Sequence, residues 1–305
     1  MKTLPAAAIA FLLVFGATQG ATEPVLPRIA FQAPVAISKR TSYNQIFSMN
    51  ADGSGVTQLT SSTAGASAPR WSPGQQYIVF WRNNALYVME AMGEANGGRT
   101  FIVGPAGGYG ADWSPDGSSL VYRGTNSNLY IVAINADSGT VGTPVLFRSG
   151  VYFDPSWSPD GTRIAFWGSD DGNTDSRIHV RNVATGDEIS FGTFSTAPDS
   201  LYYYNGPAQW SPDGTLIAFA GPAVVTTTTK KGITTSTAEE IFVASPDGSN
   251  IRQVTSLNSF SDFPTWSPDG TALAFRNGQS IYTMVLSSDT ANLLHSPGNH
   301  PDWNP

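Results

Sequence analysis

The chain has 305 residues, no cysteine, 23 acidic and 16 basic residues, and a formal net charge of −7. An acidic chain without a basic run is a poor binder of nucleic acid or of anionic membranes, and without cysteine no disulfide framework can hold the fold. Glycine (31 residues) and proline (21 residues) are plentiful and charged residues make up only 13%, which is typical of many strands joined by many turns.

Residues 1–20 have the pattern of a secretory signal peptide. A lysine gives the positive start, residues 4–17 form an apolar run, and Thr18 and Gly20 stand at positions minus three and minus one of a cleavage site. The apolar run is too short to span a bilayer and is followed at once by polar chain. A buried N-terminal helix is the alternative interpretation. We therefore expect an exported protein, periplasmic or extracellular, whose mature chain is residues 21–305.

The tripeptide Trp-Ser-Pro recurs five times along the mature chain, and four of the copies continue with Asp-Gly. The repeats define blades 1 to 5 by their tryptophans, which are Trp71, Trp113, Trp157, Trp210 and Trp266. Their separations of 42, 44, 53 and 56 residues match the length of one four-stranded β-propeller blade. Ser-Pro-Asp-Gly predicts a turn, because Pro fixes φ, Asp can bond its own backbone and Gly tolerates a positive φ.

Each repeat then supplies three further predicted strands. The turn is followed by an apolar triplet such as residues 164–166, and later by a second triplet such as residues 178–180. A weaker fourth strand closes the unit, for example at residues 252–255. These runs have the length of strands, and no window of useful length shows the periodicity of a helix. The mature chain is therefore predicted to be all-β.

The two ends of the chain are predicted to form a sixth blade together. Residues 28–31 match the triplet after the turn, and residues 44–60 supply a third and a fourth strand. The missing Trp strand is found at residues 301–305, whose Trp303 comes 37 residues after Trp266. Pairing this strand with the N-terminal strands closes the ring and removes open sheet edges. The predicted fold is an all-β, six-bladed β-propeller.

The repeated "WSPDG", followed by an aliphatic-Ala-Phe triplet at blade spacing, resembles the propeller repeats of the TolB family. TolB is a periplasmic protein of the Tol-Pal system, and related TolB-like propellers have six blades. The resemblance covers residues 28–305 and implies the fold, with a cell-envelope partner as the expected function. The α/β domain that precedes the TolB propeller is expected to be missing. Similar repeats occur in prolyl-oligopeptidase-type peptidases and oligogalacturonate lyases, but the chain has no Gly-x-Ser-x-Gly nucleophile elbow.

Three histidines are the obvious candidates for catalysis or metal binding. His179 occupies the slot that Phe or Tyr fills in the other blades, and it is predicted to be a packing residue. His295 is predicted to close a fourth strand and His300 to lie near the channel mouth, and the two are either a partial metal site or polar surface. Three scattered histidines cannot assemble the histidine-rich metal site that the resemblance to oligogalacturonate lyases would imply.

Three long connections are predicted to lie on one face of the propeller. They are residues 169–176, 192–209 and 221–238, all in blades 3 and 4. Loops on a rigid scaffold often carry function, and long loops without structure of their own are uncommon otherwise. The last of the three is rich in Thr and is either a long loop or a projecting β-hairpin with Lys230 and Lys231 at its tip.

Two kinds of side chain on this face are predicted to bind a partner. Exposed tyrosines give a rigid contact area with a polar tip, and ionisable groups at the mouth of the central channel can contact a ligand. The predicted contacts are Tyr202, Tyr203, Tyr204, Tyr152, Asp154, Asp262 and His300.

The acidic loop between the second and third strands of blade 3 is the best candidate for a cation site. Asp170, Asp171 and Asp175 are hard oxygen ligands, and Gly172 allows a sharp turn. The spacing does not match the EF-hand pattern, and a solvated hairpin loop is the alternative. No cofactor is predicted to be required, and a calcium ion bound here would be structural.

The composition and the loops favour an exported, non-catalytic binding propeller, acting as a monomer on a protein or cell-envelope partner. A glycan is a further possible ligand. The alternative is a carbohydrate-active or other small-substrate enzyme that uses carboxylates at the channel mouth, which would be Asp154, Asp199, Asp262 or Asp302. Two carboxylates about 5–10 Å apart and flanked by aromatic rings would favour a glycosidase-like site.

Replacing Tyr202, Tyr203 and Tyr204 together by serine tests the predicted tyrosine surface. Exposed contacts contribute little to folding, so we expect partner capture to fall several-fold while the melting temperature stays the same. An unfolded variant would show that the tyrosines are core residues. A folded variant that captures the partner as before would move the site to the channel mouth.

Overall fold

The computed structural model of the protein describes residues 28–108, 110–169, 175–195, 207–229, 232–257, 259–288 and 290–304. Among these residues the strands form six small antiparallel sheets, and the helical structure is one 3-10 turn at Glu94–Asn96. None of that helical structure has the length and apolarity that a membrane crossing requires. The predicted all-β, six-bladed propeller is confirmed.

The first half of the described chain builds part of blade 6 and all of blades 1 and 2. Blade 6 receives β1 (Arg28–Ala36), β2 (Ser42–Asn50) and β3 (Thr57–Gln58). Blade 1 consists of β4 (Ser67–Trp71), β5 (Tyr77–Arg82), β6 (Ala85–Glu90) and β7 (Thr100–Pro105). Blade 2 consists of β8 (Ala111–Trp113), β9 (Ser119–Arg123), β10 (Leu129–Asn135) and a divided outer strand, β11 (Thr140–Val141) with β12 (Val145–Arg148).

The second half builds blades 3 to 5 and completes blade 6. Blade 3 consists of β13 (Val151–Trp157), β14 (Arg163–Ser169), β15 (Asp175–Asn182) and β16 (Glu188–Ser195). Blade 4 consists of β17 (Gln209–Trp210), β18 (Ile217–Thr229), β19 (Gly232–Ala244) and β20 (Arg252–Gln253). Blade 5 consists of β21 (Ser261–Trp266), β22 (Ala272–Asn277), β23 (Ser280–Val285) and β24 (Ala291–His295), and β25 (Asn299–Trp303) belongs to blade 6.

The ring closes as the sequence predicts, with the C-terminal strand beside the N-terminal one. The sheet of blade 6 has the order β25-β1-β2-β3, and Trp303 lies opposite Ile29. The Arg28 N–H donates to Asn304 Oδ1 at 2.7 Å, and the Asn304 N–H donates to the Arg28 carbonyl at 2.8 Å. Asn304 Nδ2 also donates to Gln75 Oε1 of blade 1 at 2.9 Å. These bonds join the two ends of the chain and link them to the next blade.

Each blade is filled by an aromatic pair on its second and third strands. The second-strand Phe31, Phe80, Phe166, Phe219 and Phe275 are all fully buried. In blade 3 the third-strand partner is His179, whose ring stacks on that of Phe166 with 5.2 Å between centroids and 2° between planes. Its ring nitrogens lie 2.9 Å from Glu188 Oε1 and 3.2 Å from the Gly168 carbonyl oxygen. The prediction that His179 is a packing residue is confirmed.

All six seams between blades are bridged by a hydrogen bond from the repeat tryptophan. In three seams the indole Nε1 donates to the carbonyl of the residue that precedes the previous blade's tryptophan, at 3.0 to 3.3 Å; the pairs are Trp113 to Arg70, Trp210 to Ser156 and Trp266 to Gln209. In the other three seams the tryptophan's backbone N–H donates to the side chain at that same position, at 2.7 to 3.1 Å; the pairs are Trp71 to Asp302, Trp157 to Asp112 and Trp303 to Thr265. The tryptophans therefore join the blades.

Deleting residues 301–305 removes the inner strand of blade 6 and two seam contacts. It exposes the edge of β1 and leaves Trp71 without its acceptor, so we expect a loss of roughly 4 kcal/mol or more in the free energy of unfolding. That corresponds to a fall of about 10 °C in the melting temperature of a chain of this size. Thermal unfolding followed by circular dichroism measures it, and a truncated protein that melts with the parent would contradict this closure.

Candidate functional site at the channel mouth

The innermost strands carry β-bulges that direct side chains to the mouth of the central channel. The residue three positions before the repeat tryptophan has a positive φ in blades 1, 3, 5 and 6; these residues are Ala68 (51°), Asp154 (47°), Phe263 (51°) and His300 (47°). The strand register shifts at the same place in those four blades. A bulge adds one residue to a strand and changes the direction of a side chain. It therefore brings Asp154, Phe263 and His300 to one level of the channel.

Ionisable side chains from several blades surround this level. Arg276 binds both carboxylate oxygens of Asp262, with 2.5 Å from Nε to Oδ1. On the other side, Arg70 Nη1 lies 3.6 Å from Asp302 Oδ1, and both side chains are almost fully buried. We call the set Arg70, Asp154, Glu239, Asp262, Arg276, His300 and Asp302 the channel-mouth cluster.

Burial raises the pKa of the carboxyl groups in this cluster. Loss of water raises the pKa of Asp154 to about 6 although the charges of Arg70 and Arg123 oppose it, and raises that of Asp302 to about 6 against the charge of Arg70. Loss of water raises the pKa of Asp262 to about 6, against its hydrogen bond from Arg276. These groups therefore change protonation close to neutral pH.

Two members of the cluster show how closely its charges interact. Burial, followed by the charge of Asp262, raises the pKa of Glu239 to about 8. Burial, with help from the charges of Arg70 and Arg276, holds the pKa of His300 well below its usual value, so its imidazole is neutral. The cluster is one electrostatic unit that spans blades 1, 3, 4, 5 and 6.

Aromatic rings and guanidinium groups complete the mouth. The ring centroid of His300 lies 3.7 Å from that of Phe263, and the Arg276 guanidinium carbon lies 5.0 Å from the same Phe263 centroid. The guanidinium of Arg123, in blade 2, lies 4.5 Å from the ring centroid of Phe153, in blade 3. Both guanidinium groups also donate hydrogen bonds within the protein, Arg276 to Asp262 and Arg123 to the Gly107 carbonyl and to Ser127 Oγ. Within the described ranges, no group of three or more His, Asp or Glu side chains could hold a metal ion.

The structure brings together three of the predicted contacts and places a fourth elsewhere. Asp154, Asp262 and His300 belong to the channel-mouth cluster. Tyr152 is fully buried at the seam between blades 2 and 3, where its ring contacts Phe166 at 4.9 Å between centroids. As a partner contact this prediction is wrong, because Tyr152 packs beneath its loop.

The other predicted site residues fall mostly outside the described residues. These are Tyr202, Tyr203, Tyr204, Asp170, Asp171, Lys230 and Lys231. Asp175 is the first residue of β15. The tyrosine surface and the calcium site stay predictions.

Sequence reasoning missed Glu239 and Arg276. Arg276 follows the second-strand Phe of its blade, as Arg123 follows Tyr122, so position in the repeat was an available signal. Trp81 and Trp167 occupy this same slot, and both pack between blades. No position in the repeat identifies Glu239 in this way, because its burial depends on how the β18–β19 hairpin folds.

The hairpins between second and third strands differ greatly in length. Residues 221–229 lie in β18 and residues 232–238 in β19, and the two strands pair with each other, which confirms the hairpin interpretation of the Thr-rich stretch. From the buried Phe of its second strand, blade 4 continues for ten residues, blade 6 for five and blade 5 for two. At about 3.4 Å per residue these lengths are about 34, 17 and 7 Å. The hairpin between the second and third strands is therefore short in blade 5, which we call the low blade, and long in the neighbouring blades 4 and 6.

The low blade and its neighbours expose large apolar side chains on this face. Phe260, in the loop that leads into blade 5, is 48% exposed. The hairpins beside it expose Ile37 (51%), Tyr43 (37%) and Val224 (76%). We call these four residues the notch. The notch lies on the same face as the channel-mouth cluster, to which blade 5 contributes Asp262 and Arg276.

Substituting Asp112 tests whether a carboxyl group at a seam makes the stability of the protein depend on pH. Burial raises its pKa to about 7 against the hydrogen bond from the Trp157 N–H. A raised carboxyl pKa gives stability that is complete below the ordinary value of 3.8 and is lost as the pH rises through about 7. Asp112→Asn keeps an oxygen acceptor and removes the charge, so we expect its melting temperature, relative to that of the parent, to be about 5 °C higher at pH 8 than at pH 5.

Thermal melts at the two pH values check this prediction. Asp160→Asn is the matched control, because Asp160 lies in an exposed turn where hydrogen bonds from Ser158 and Thr162 lower its pKa. An Asp112→Asn variant that loses stability equally at both pH values would contradict the electrostatic cause.

Comparison with known proteins identifies the fold. No protein-family model and no curated protein matches the chain. Among solved structures, TolB from Acinetobacter baumannii has a TM-score of 0.64 at 19% identity, covering 92% of this chain and 67% of that one. A protein described as TolB from Agrobacterium tumefaciens has a TM-score of 0.60 at 19% identity, covering 90% of each chain.

A third solved structure extends the likeness beyond TolB. A chain of a nidogen/laminin complex has a TM-score of 0.63 at 9% identity, covering 91% of this chain and 98% of that one. Identities this low establish a common fold and nothing finer. The chain therefore shares the six-bladed β-propeller fold of these TolB structures.

Proposed function

We propose that the chain is an exported, non-catalytic binding propeller of the cell envelope or extracellular space, with another protein as its partner. The predicted signal peptide, residues 1–20, lies outside the described residues and supports export. The likeness to TolB, and to a propeller solved as part of a nidogen/laminin complex, supports a protein partner. Fold alone does not fix function, so the surface of the chain has to carry the argument.

The notch is the observation that carries this proposal. It comprises Phe260 at the entry to the low blade and Ile37, Tyr43 and Val224 on the hairpins of the two neighbouring blades, with between 37 and 76% of each side chain exposed. Single exposed apolar residues are ordinary, but a group on one face indicates an interaction site. Aromatic side chains give the largest contact area for the smallest loss of rotamer freedom. A protein surface that reaches into the notch would cover all four.

The long hairpin of blade 4 adds backbone to this surface. In blade 4, β17 pairs only with residues 217–218 and β20 only with residues 242–243. From Ala223 outward, no strand of the described part of the chain pairs with either edge of the hairpin. Such edges accept an extended segment by strand addition. A two-stranded ribbon is marginal on its own in water, so a partner would also stabilise it.

The channel-mouth cluster supplies the polar centre of the same face. Arg276 and Asp262 lie in the blade below the notch, and a partner that displaces water there would strengthen their ion pair. The raised pKa values of Asp262 and Glu239 are the observation that favours the second candidate, an enzyme at the channel mouth. Both carboxyl groups are less than 10% exposed, and Asp262 is held by Arg276. Binding therefore accounts better for this arrangement than proton transfer to a substrate.

Replacing Phe260 by serine tests the notch as a partner surface. The bait is the mature chain, and the partner is identified by crosslinking in an envelope extract and mass spectrometry, then purified for affinity measurement. We expect Phe260→Ser, and likewise Tyr43→Ser, to weaken binding by about tenfold or more, because each removes an exposed anchor. The melting temperature should change by less than about 2 °C.

Leu293→Ser is the matched control for this experiment. Leu293 is 60% exposed on β24, the outer strand of the same blade, away from the notch. Binding that survives both notch variants, or that falls equally in the control, would overturn the proposed surface.

A further inference from the structure

The turns between first and second strands stack on one another around the opposite face of the propeller. A methyl group built on the glycine of one Ser-Pro-Asp-Gly turn would lie 3.6 to 3.8 Å from the proline ring of the preceding blade; the pairs are Gly161 with Pro115, Gly214 with Pro159 and Gly270 with Pro212. These are ordinary van der Waals distances. Three consecutive seams, from blade 2 to blade 5, are therefore closed by the same contact.

The seam between blades 1 and 2 lacks this contact. A methyl group on Gly117 would meet no atom of the described residues within 4 Å, although Pro73 holds the corresponding place in blade 1. The blade 1 turn is Ser-Pro-Gly-Gln, so Gly74 stands where the other turns have Asp. Gln75 takes the left-handed conformation, with φ of 58°, and its Oε1 accepts the hydrogen bond from Asn304. Gln75, which departs from the repeat, thus takes part in ring closure, and the contact between neighbouring turns is absent beside it.

A cavity of about 570 Å³ occupies this open seam. Its walls come from the first turn of blade 1 and from two turns of blade 2, and they include Pro73, Tyr77, Trp113 and Pro115. Cavities of roughly 300–1,000 Å³ are the usual size of small-molecule sites. The two prolines and two aromatic side chains add apolar surface to a lining that is mostly polar, and the cavity is open to solvent.

The polar lining of this cavity carries negative charge. Asp116 accepts hydrogen bonds from Ser114 Oγ at 2.6 Å and from the Ser118 N–H at 3.0 Å, and the first of these contributes most to lowering its pKa. Asp137 accepts a hydrogen bond from the Tyr77 hydroxyl at 2.6 Å, which crosses the seam. Of the described residues that line the cavity, none is Lys, Arg or His.

The nearest cation is already engaged outside the lining. Arg99 Nη2 donates to the carbonyl oxygens of Ala136 and Asp137, each at 2.8 Å, and Arg99 Nε lies 3.6 Å from Glu90 Oε1. At Tyr77, in the cavity lining, the charge of Glu90 opposes that of Arg99. An anionic ligand would meet two carboxylates in the cavity, whereas a cation would find both carboxylates and the faces of aromatic rings.

We propose that the seam cavity between blades 1 and 2 binds a small organic cation, a primary amine or guanidinium carried on a short aliphatic body. The cationic group pairs with Asp116 and Asp137, and the aliphatic body packs against Pro73, Pro115 and the Tyr77 ring. This site lies on the face opposite the notch and does not depend on the proposed protein partner. It takes a different class of ligand.

Agmatine is a suitable probe, because it carries a guanidinium and an amine on a four-carbon chain. Isothermal titration calorimetry with the mature protein at low salt measures its affinity, and 1,4-butanediol and succinate serve as neutral and anionic comparisons. We expect agmatine to bind with a dissociation constant at or below the millimolar range. We expect the diol and succinate to bind at least tenfold more weakly, since they lack the positive charge.

Two variants test the location. Asp116→Asn combined with Asp137→Asn removes the charge, and Gly74→Phe fills the space, because Gly74 does not have a positive φ and a side chain there meets no neighbour within 4 Å. Each should lower the affinity for agmatine at least tenfold. If Gly74→Phe also lowers the melting temperature, the location of the site is judged from Asp116→Asn combined with Asp137→Asn alone.

Asp160→Asn is the matched control for this site as well. Asp160 makes the same turn hydrogen bonds in blade 3, with Ser158 and Thr162, but the Gly161 beside it is stacked on Pro115 and its seam is closed. Agmatine affinity should stay within about twofold of the parent. No agmatine binding at millimolar concentration, equal binding of the diol, or an equal loss in the Asp160→Asn control would each overturn the proposal.

Discussion

The propeller depends on one hydrogen bond in each seam, between a repeat tryptophan and the residue that precedes the tryptophan of the previous blade. Blades pack face to face, so their own ladder hydrogen bonds do not cross the seams. The large indole supplies apolar area, and this polar contact, repeated in every seam, helps to fix the position of one blade relative to the next. Because either the carbonyl or the side chain at that position can accept, the position tolerates Arg, Ser, Gln, Thr or Asp. The propeller can therefore keep a hydrogen bond in every seam while different blades carry different side chains at this position.

This seam bond also explains why buried carboxyl groups collect around the channel. Asp112 and Asp302 lie there because their oxygens accept the tryptophan N–H of the next blade, and their raised pKa values follow from that structural role. Asp154 has another origin, since a bulge brings it to the channel. Perturbed pKa values mark functional sites only when no structural role accounts for them. By that standard Asp154, Asp262 and Glu239 are better functional candidates than Asp112 or Asp302.

The sequence was sufficient for the fold because its signals are local and repeated. A turn motif and a tryptophan at blade spacing predict the sheets, and the displaced Trp303 strand predicts the closure. It was not sufficient for the side-chain directions in the connecting loops. Val151 already begins β13, so strict alternation puts Val151 outside and Tyr152 inside. A shift of one residue in the strand reverses which side chains face solvent, and the composition of a loop does not reveal that shift.

A repeat protein gives a baseline against which each departure can be judged. On the turn face the baseline is Ser-Pro-Asp-Gly, and the departure at Gly74 and Gln75 has a structural cause, because Gln75 bonds the residue that follows β25. The hydrogen bond from Asn304 accounts for Gln75 but not for Gly74. Gly74 stands where the other turns have Asp, and it lines the cavity between blades 1 and 2. On the opposite face the hairpins have no common length, so length alone is weaker evidence of function there. The exposed aromatic and aliphatic side chains of the notch, rather than the size of the hairpins, distinguish a binding surface from tolerated variation.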